Sequence, residues 1–365
     1  MNPTKRLNIL IGAASLFVFI TPLTAQKDSV HNKKTLLFPV ITRSIETSWS
    51  FGLAGAATFK LLKKDTATRT SNLQTIVLYS LKKQFVAAIN GAQYLKNEDY
   101  IINEQLSYSS FPDKFWGLGK HTPDNAEEQY EFKQFYLYMH LMRHLGNHFY
   151  AGVLFEHQKL LEVNYKAGGL FDQQNIVGRN GYQISGLGLS VTYDKRNNAF
   201  SPNKGGFAQI YFNHFGKMYG SDFTYTNIVV DLRKYMPLSK KDVLAMQGYS
   251  FSSIGDEVPL RSLASLGGMN SMRGYYSGRY RDKMQMVFQS ELRHQLNNRF
   301  GVVAFGNFGD VGHNLQDFNL NDLKYSLGAG LRFAINKSEK LNIRLDYGVG
   351  PGLNQGFYFE LGEAF

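Results

Sequence analysis

From residue 36 onward, apolar and polar side chains alternate in segments of roughly ten to fifteen residues separated by turn-forming residues, and this constrains the fold more than anything else. A period of two sends successive side chains to opposite faces of a strand. In "YTNIVVDLRKYMPL" (225–238), Ile228, Val230, Leu232 and Met236 share one face, while Asn227, Asp231 and Arg233 share the other. "LNIRLDYG" sets Ile343, Leu345 and Tyr347 against Asn342, Arg344 and Asp346, and "MQMVFQSELRHQL" sets Met284, Met286, Phe288 and Leu292 against Gln285, Gln289, Glu291 and Arg293. A soluble sandwich also alternates, but its polar face meets solvent with mixed Lys, Ser and Thr. Here the polar faces carry arginine and carboxylate together, which suits a lumen where opposite charges pair.

Strands are predicted over 36–44, 46–62, 73–83, 84–95, 99–111, 131–145, 148–160, 181–196, 206–217, 224–238, 242–254, 284–296, 300–312, 323–335, 341–350 and 356–365. That is sixteen, the even number a closed antiparallel barrel needs. One side collects the short links "KNED", "LGN", "LSKK", "NN" and "NKSEK"; the other collects excursions at 112–130, 161–180, 255–283 and 313–322. Short periplasmic turns and long outer loops are the expected asymmetry, to which 63–72 is an exception. The last strand alternates Phe357, Phe359, Leu361 and Phe365 and ends the chain on an aromatic residue.

Aromatic residues make up 14% of the chain, with 22 Tyr and 28 Phe, as the interfacial girdles of a membrane barrel require. Formal charge is +11; removing Lys5 and Arg6 of the N-terminus leaves 11 − 2 = +9, compatible with an anionic lipid surface. Nucleic acid is disfavoured, because no basic run belongs to a binding motif. Cysteine is absent, which excludes disulfides and thiolate metal sites. Residues 1–25 read as a signal peptide: "MNPTKR", the apolar "LNILIGAASLFVFI", then cleavage after Ala25 with a large Leu23 before it. No later run is apolar enough for a spanning helix. A short segment, 26–35, then leads to the barrel, 36–365, leaving no room for a folded domain between them.

"SLGGMNSMRGYYSGRYRDKMQMVFQSELR" (265–293) crowds cations beside a strand with an inward carboxylate. Folded inward, the loop would bring Arg273 to Glu291, since a guanidinium out of water needs a carboxylate. Gly267, Gly268, Gly274 and Gly278 permit a tight hairpin close to the wall, where Phe305, Asn307 and Gly309 share the lumenal parity. The residues alone leave a second reading open: a solvated outer loop with a free Arg273. Tyr275 and Tyr276 read as packing inside the loop hairpin.

Pro39, in the first strand, cannot donate a ladder hydrogen bond. With Phe357, Phe359 and Phe365 opposite, it marks either a weak seam where the barrel closes or an edge residue outside the paired part. His140, His144 and His148 lie on a strand and turn; the first two stand about 13 Å apart, too far to share one ion, so they read as interfacial or turn histidines. Asp194 and Arg196 read as an ion pair on one wall strand. No nucleophile motif surrounds any serine, which points away from an enzyme. No metal or cofactor site is expected.

"GGMNSMRGYYSGRYRD" followed by "ELR" and "VVAFGNFGDVG" resembles the C-terminal barrel signature of the BamA/TamA outer-membrane assembly superfamily, the bacterial surface antigen family. "YDKRNNAFSPNKGG" (193–206) is similar to its Asp-x-Arg turn and "FWGLGKHT" (115–122) to its Gly-x-Gly loop. The resemblance implies an all-β, transmembrane antiparallel barrel of about sixteen strands whose long sixth extracellular loop enters the lumen. Arg273, Gly274 and Tyr275 would latch there against Glu291 and the wall at Phe305, Asn307 and Gly309. Where the family has Asp this chain has Asn307, so the latch is expected to rest mainly on Glu291. The periplasmic POTRA repeats of the family are not expected. The implied role is insertion or translocation of proteins at the bacterial outer membrane, in contact with its lipid and lipopolysaccharide and with client or partner proteins. Alternatives are a secretion pore for a separately encoded passenger and a structural subunit of a larger complex or homodimer.

Overall fold

The structure, a computed structural model, describes residues 34–44, 48–61, 68–336, 340–352 and 354–365. The expected signal peptide and most of segment 26–35 lie outside these residues. The first strands are β1 (Lys34–Ser44), β2 (Ser48–Phe59), β3 (Ser71–Ser80), β4 (Phe85–Tyr94), β5 (Tyr100–Phe115) and β6 (Glu128–Gly146). They continue with β7 (Phe149–Tyr165), β8 (Tyr182–Asp194), β9 (Gly205–Phe215), β10 (Tyr225–Pro237) and β11 (Asp242–Ile254). A loop hairpin, β12 (Ala264–Leu266) and β13 (Tyr280–Asp282), precedes β14 (Met284–Gln295), β15 (Phe300–Gly312), β16 (Lys324–Asn336), β17 (Leu341–Val349) and β18 (Gln355–Leu361).

Apart from the β12–β13 hairpin, all belong to one sixteen-stranded sheet in which each strand pairs antiparallel with the next. The sheet forms a transmembrane β-barrel. Its faces invert the usual soluble pattern: Leu53, Leu189, Val191, Leu232 and Leu331 are exposed outside, while Asn213, Glu291, Arg344 and Asp346 are buried inside. No helix among the described residues is long and apolar enough to cross a membrane.

The long connections, 116–127, 166–181, 255–283 and 313–323, all leave one end of the barrel. There Phe115, Tyr130, Phe132, Phe171, Ile176 and Tyr182 pack with Leu260 of the 255–283 loop into the largest apolar cluster. At the other end Arg69, in the link after β2, enters the lumen. Arg69 pairs with Glu98 at 2.8 Å and Asp194 at 2.5 Å, and lies over the Tyr94 ring at 4.5 Å.

Three expectations are corrected. Asp194 and Arg196 do pair, Nε to Oδ1 at 2.9 Å, but β8 ends at Asp194, so Arg196 reaches back from the following turn. His140 is no interfacial residue: it points into the lumen, buried, 2.7 Å from Ser190 Oγ. The final strand stops at Leu361 because Gly362, at φ 97°, turns the chain. Phe365 is consequently absent from the seam. It packs inside the barrel with Tyr235 and Ala245, beneath the Arg293 guanidinium at 5.5 Å.

The two ends of the sheet meet differently from its interior. β1 and β18 come within 8 Å, Cα to Cα, yet no ladder joins them among the described residues. Pro39 sits within the β1–β2 ladder opposite Leu53, not beyond it. Phe357 and Phe359 pair across from Tyr347 and Leu345 of β17, and the Phe357 ring lies 4.5 Å from Tyr347.

Candidate functional site

The 255–283 loop is the sixth at its end, and it folds down into the lumen. Its lowest point is Arg273, whose side chain has 0% exposure. Nη2 lies 2.7 Å from Glu291 Oε1 on β14, and Nη1 lies 2.5 Å from Asp346 Oδ2 on β17. The guanidinium covers the Phe305 ring of β15 at 3.6 Å, a desolvated cation–π contact worth about 2 kcal/mol. Gly328 on β16 makes room for that ring, since a Cβ there would stand 2.2 Å from Phe305.

The pair does not stand alone. Arg293 holds the other Glu291 oxygen at 2.7 Å, and Arg332 binds Asp346 at 2.5 Å and Glu363 at 2.6 Å. Arg344 contacts Asp346 at 3.7 Å and hydrogen-bonds Glu360. Four guanidiniums (273, 293, 332, 344) thus face four carboxylates (291, 346, 360, 363), a formal balance of zero. Opposite charges this close offset the desolvation each would otherwise suffer. Asp346 is the partner that sequence reasoning left out, so Arg273 does not rest mainly on Glu291.

Asn307 and Gly309, on the same face of β15, play other parts. The Asn307 amide donates to Ser326 Oγ at 2.9 Å. Gly309 lets β15 lie tight against β14, because a Cβ would meet the Met286 carbonyl at 2.4 Å. Arg273 forms no hydrogen bond with either among the described residues.

Backbone approach explains Gly274. Its φ of 112° is left-handed, and a Cβ would stand 3.0 Å from the Val349 carbonyl carbon; opposite it, a Cβ on Gly348 would meet the Arg273 carbonyl carbon at 2.8 Å. The loop main chain therefore rests directly on the end of β17. The Gly274 N–H donates to Tyr358 Oη on β18 at 2.9 Å, and that hydroxyl donates onward to the Tyr275 carbonyl at 3.1 Å.

Tyr275 packs with the hairpin residues Leu266 and Tyr280, as expected, whereas Tyr276 does not; their hydroxyls reach opposite walls. Tyr275 donates to the Tyr325 carbonyl on β16 at 3.1 Å. Tyr276 donates to Asp113 Oδ1 on β5 at 2.9 Å and meets the Trp116 ring edge-on at 5.2 Å. Asp113 also draws Arg261 at 3.1 Å and Arg281 at 3.8 Å. The Gly-x-Gly stretch touches the same loop: the Gly119 N–H donates to the Arg281 carbonyl at 2.8 Å, and Arg279 stacks on Trp116 at 5.0 Å. Burial pushes the Tyr275 and Tyr280 hydroxyls up, which keeps both protonated, and raises the Asp282 carboxyl at the loop's end. Nothing local in the sequence ties Asp113 or Asp346 to the loop; strand register brings them there.

Beside the loop lies a cavity of about 560 Å³, lined in part by Arg233, Tyr249, Asn270, Gln289 and Phe365. No group of three metal-ligating side chains occurs among the described residues. The geometry offers a gripped loop, a balanced charge network and a lumenal space.

Known proteins were compared with this chain at three levels. A search of curated proteins gives no match. Among solved structures, BamA from Haemophilus ducreyi lacking POTRA domains 1–3 aligns over 91% of this chain and 70% of its own, at 16% identity and TM-score 0.55. CdiB from Acinetobacter baumannii aligns over 90% of this chain and 59% of its own, at 13% identity and TM-score 0.59. CdiB from Escherichia coli aligns over 90% and 62%, at 12% identity and TM-score 0.58. The chain thus spans less than two thirds of either CdiB, and at these identities the likeness is one of fold. The family model described as the Omp85 superfamily domain matches residues 87–365, from the start of the fourth strand through the lumenal loop to the last residue, and the chain belongs to the Omp85 superfamily.

Proposed function

We propose that this barrel inserts or translocates proteins at the bacterial outer membrane by parting along the β1–β18 seam, with the sixth loop as a conformational latch. One observation carries the reading. Every other strand junction is a hydrogen-bonded ladder, whereas β1 and β18 approach within 8 Å without one among the described residues. Parting there costs fewer main-chain hydrogen bonds than parting elsewhere. The latch role is supported by Tyr358, which ties the seam strand to the loop through Gly274 and Tyr275. Membrane lipid and lipopolysaccharide surround the barrel in this reading, and client or partner proteins supply its cargo. No catalytic step and no cofactor is needed.

Crosslinking tests the seam directly, because the native chain has no cysteine to interfere. Val40→Cys is combined with a single cysteine at one of positions 357–361, and outer-membrane protein content is followed in cells depleted of the wild type. The oxidised pair should abolish the activity and reduction should restore it. Full activity in the locked barrel would rule out lateral opening.

A second reading is favoured by the fold likeness to CdiB and by the cavity beside the loop: a secretion pore for a separately encoded passenger, gated by loop displacement. Planar-bilayer conductance separates the two. A wild-type barrel that stays closed while an Arg273→Ala variant conducts supports the gate; silence from both leaves the seam.

A further inference from the structure

Inside the barrel nearly every charge is answered. Asp113, Asp194, Asp231, Glu291, Asp346 and Glu363 each have an arginine within 4.0 Å. Glu156, on the lumenal face of β7, has no Lys, Arg or His within that distance among the described residues. Its Oε2 accepts from Asn213 Nδ2 at 2.9 Å, and Tyr136 hydrogen-bonds the same carboxylate. Tyr138, Tyr211 and Tyr249 also interact with it electrostatically. These four tyrosines come from β6, β9 and β11, and all are half-buried, so they border open lumen and not packed core. On β8, Gly186 and Gly188 stand opposite Glu156 and Leu154, and the missing Cβ of Gly186 makes room for the Phe215 ring and the Asn213 amide beside Glu156.

A carboxylate without a basic partner and with several tyrosines near it can hold an organic cation, the charge met by the carboxylate and by the ring quadrupoles. We propose that Glu156, with Tyr136, Tyr138, Tyr211 and Tyr249, forms a lumenal site for an organic ammonium group. Two sources present that chemistry, a free polyamine and the lysine side chain of a polypeptide in the lumen. The site stands on wall geometry and does not depend on seam opening.

The test uses the full chain purified in detergent at low ionic strength, titrated calorimetrically with spermidine in one arm and trilysine in the other. Saturable binding should weaken about tenfold or more in Glu156→Gln, which keeps an acceptor for Asn213 but loses the charge, and recover in Glu156→Asp. Glu257→Gln, on the exposed part of the sixth loop, should bind as wild type does. Tyr249→Leu, with Glu156 intact, should weaken binding severalfold through loss of a ring. Stronger binding of spermidine identifies a free polyamine and stronger binding of trilysine a polypeptide. If neither ammonium binds saturably, or if Glu156→Gln and Tyr249→Leu both bind like wild type, the proposal is overturned.

Discussion

The two sides of the lumen solve the problem of interior polarity differently. Along β14–β18 the wall is dry: Arg273, Glu291, Arg344 and Asp346 have no exposure, and each cation has an acid against it. Along β6–β11 the wall is built from half-buried tyrosines beside buried amides such as Asn213 and Gln247, with Glu156 lacking a cation among the described residues. The first arrangement specifies one position for the loop, because any displacement strands charges in a low dielectric. The second specifies no occupant and keeps space. A barrel that must hold a plug and also admit something needs both kinds of wall.

The comparison breaks most readily at Arg273. Replacing it by Ala leaves Glu291 and Asp346 short of a cation, a loss of about 3–5 kcal/mol, and should speed protease cleavage near residue 270 severalfold or more. Equal protection of wild type and variant would show that the dry wall does not hold the loop. Glu291→Gln and Asp346→Asn should each loosen the loop less, because one acid remains. Together they should cost less than the sum of the singles, since both act through one guanidinium, and a double-mutant cycle measures that coupling. Phe365→Ala should lower thermal stability by about 3 kcal/mol through the cavity left beside Tyr235 and Ala245. Tyr211→Phe on the open wall should change stability by no more than about 0.5 kcal/mol and leave loop cleavage unaltered.

The strands were readable because a period of two leaves one assignment of faces, and outward leucines with inward acids fit lipid outside and charge within. Arg273 could be singled out because its loop is far longer than a hairpin requires. Asp346 was visibly lumenal, yet nothing local ties it to a residue 73 positions away. Counting register would have found it: Glu291 stands level with Phe305, Phe305 with Gly328 and Gly328 with Gly348, one inward step from Asp346. Such counting needs every hairpin exact, and a slip of one residue reverses the faces. Phe365 misled because it continues the alternation of Phe357 and Phe359. Gly362 was the available sign, a residue with no side-chain preference placed where a strand is easily ended. Tyr275 packs in the hairpin as its neighbours suggest, but nothing local shows that Tyr276 leaves it for Asp113 and Trp116.

The hydroxyl of Tyr358 accepts from one loop residue and donates to the next while belonging to the barrel's terminal strand. Under the proposed mechanism, thermodynamic reciprocity follows from that shared atom: whatever factor loop withdrawal adds to strand release, strand release must return to loop withdrawal. A cargo that wedges the edges apart would therefore unseat the guanidinium deep inside without ever touching it.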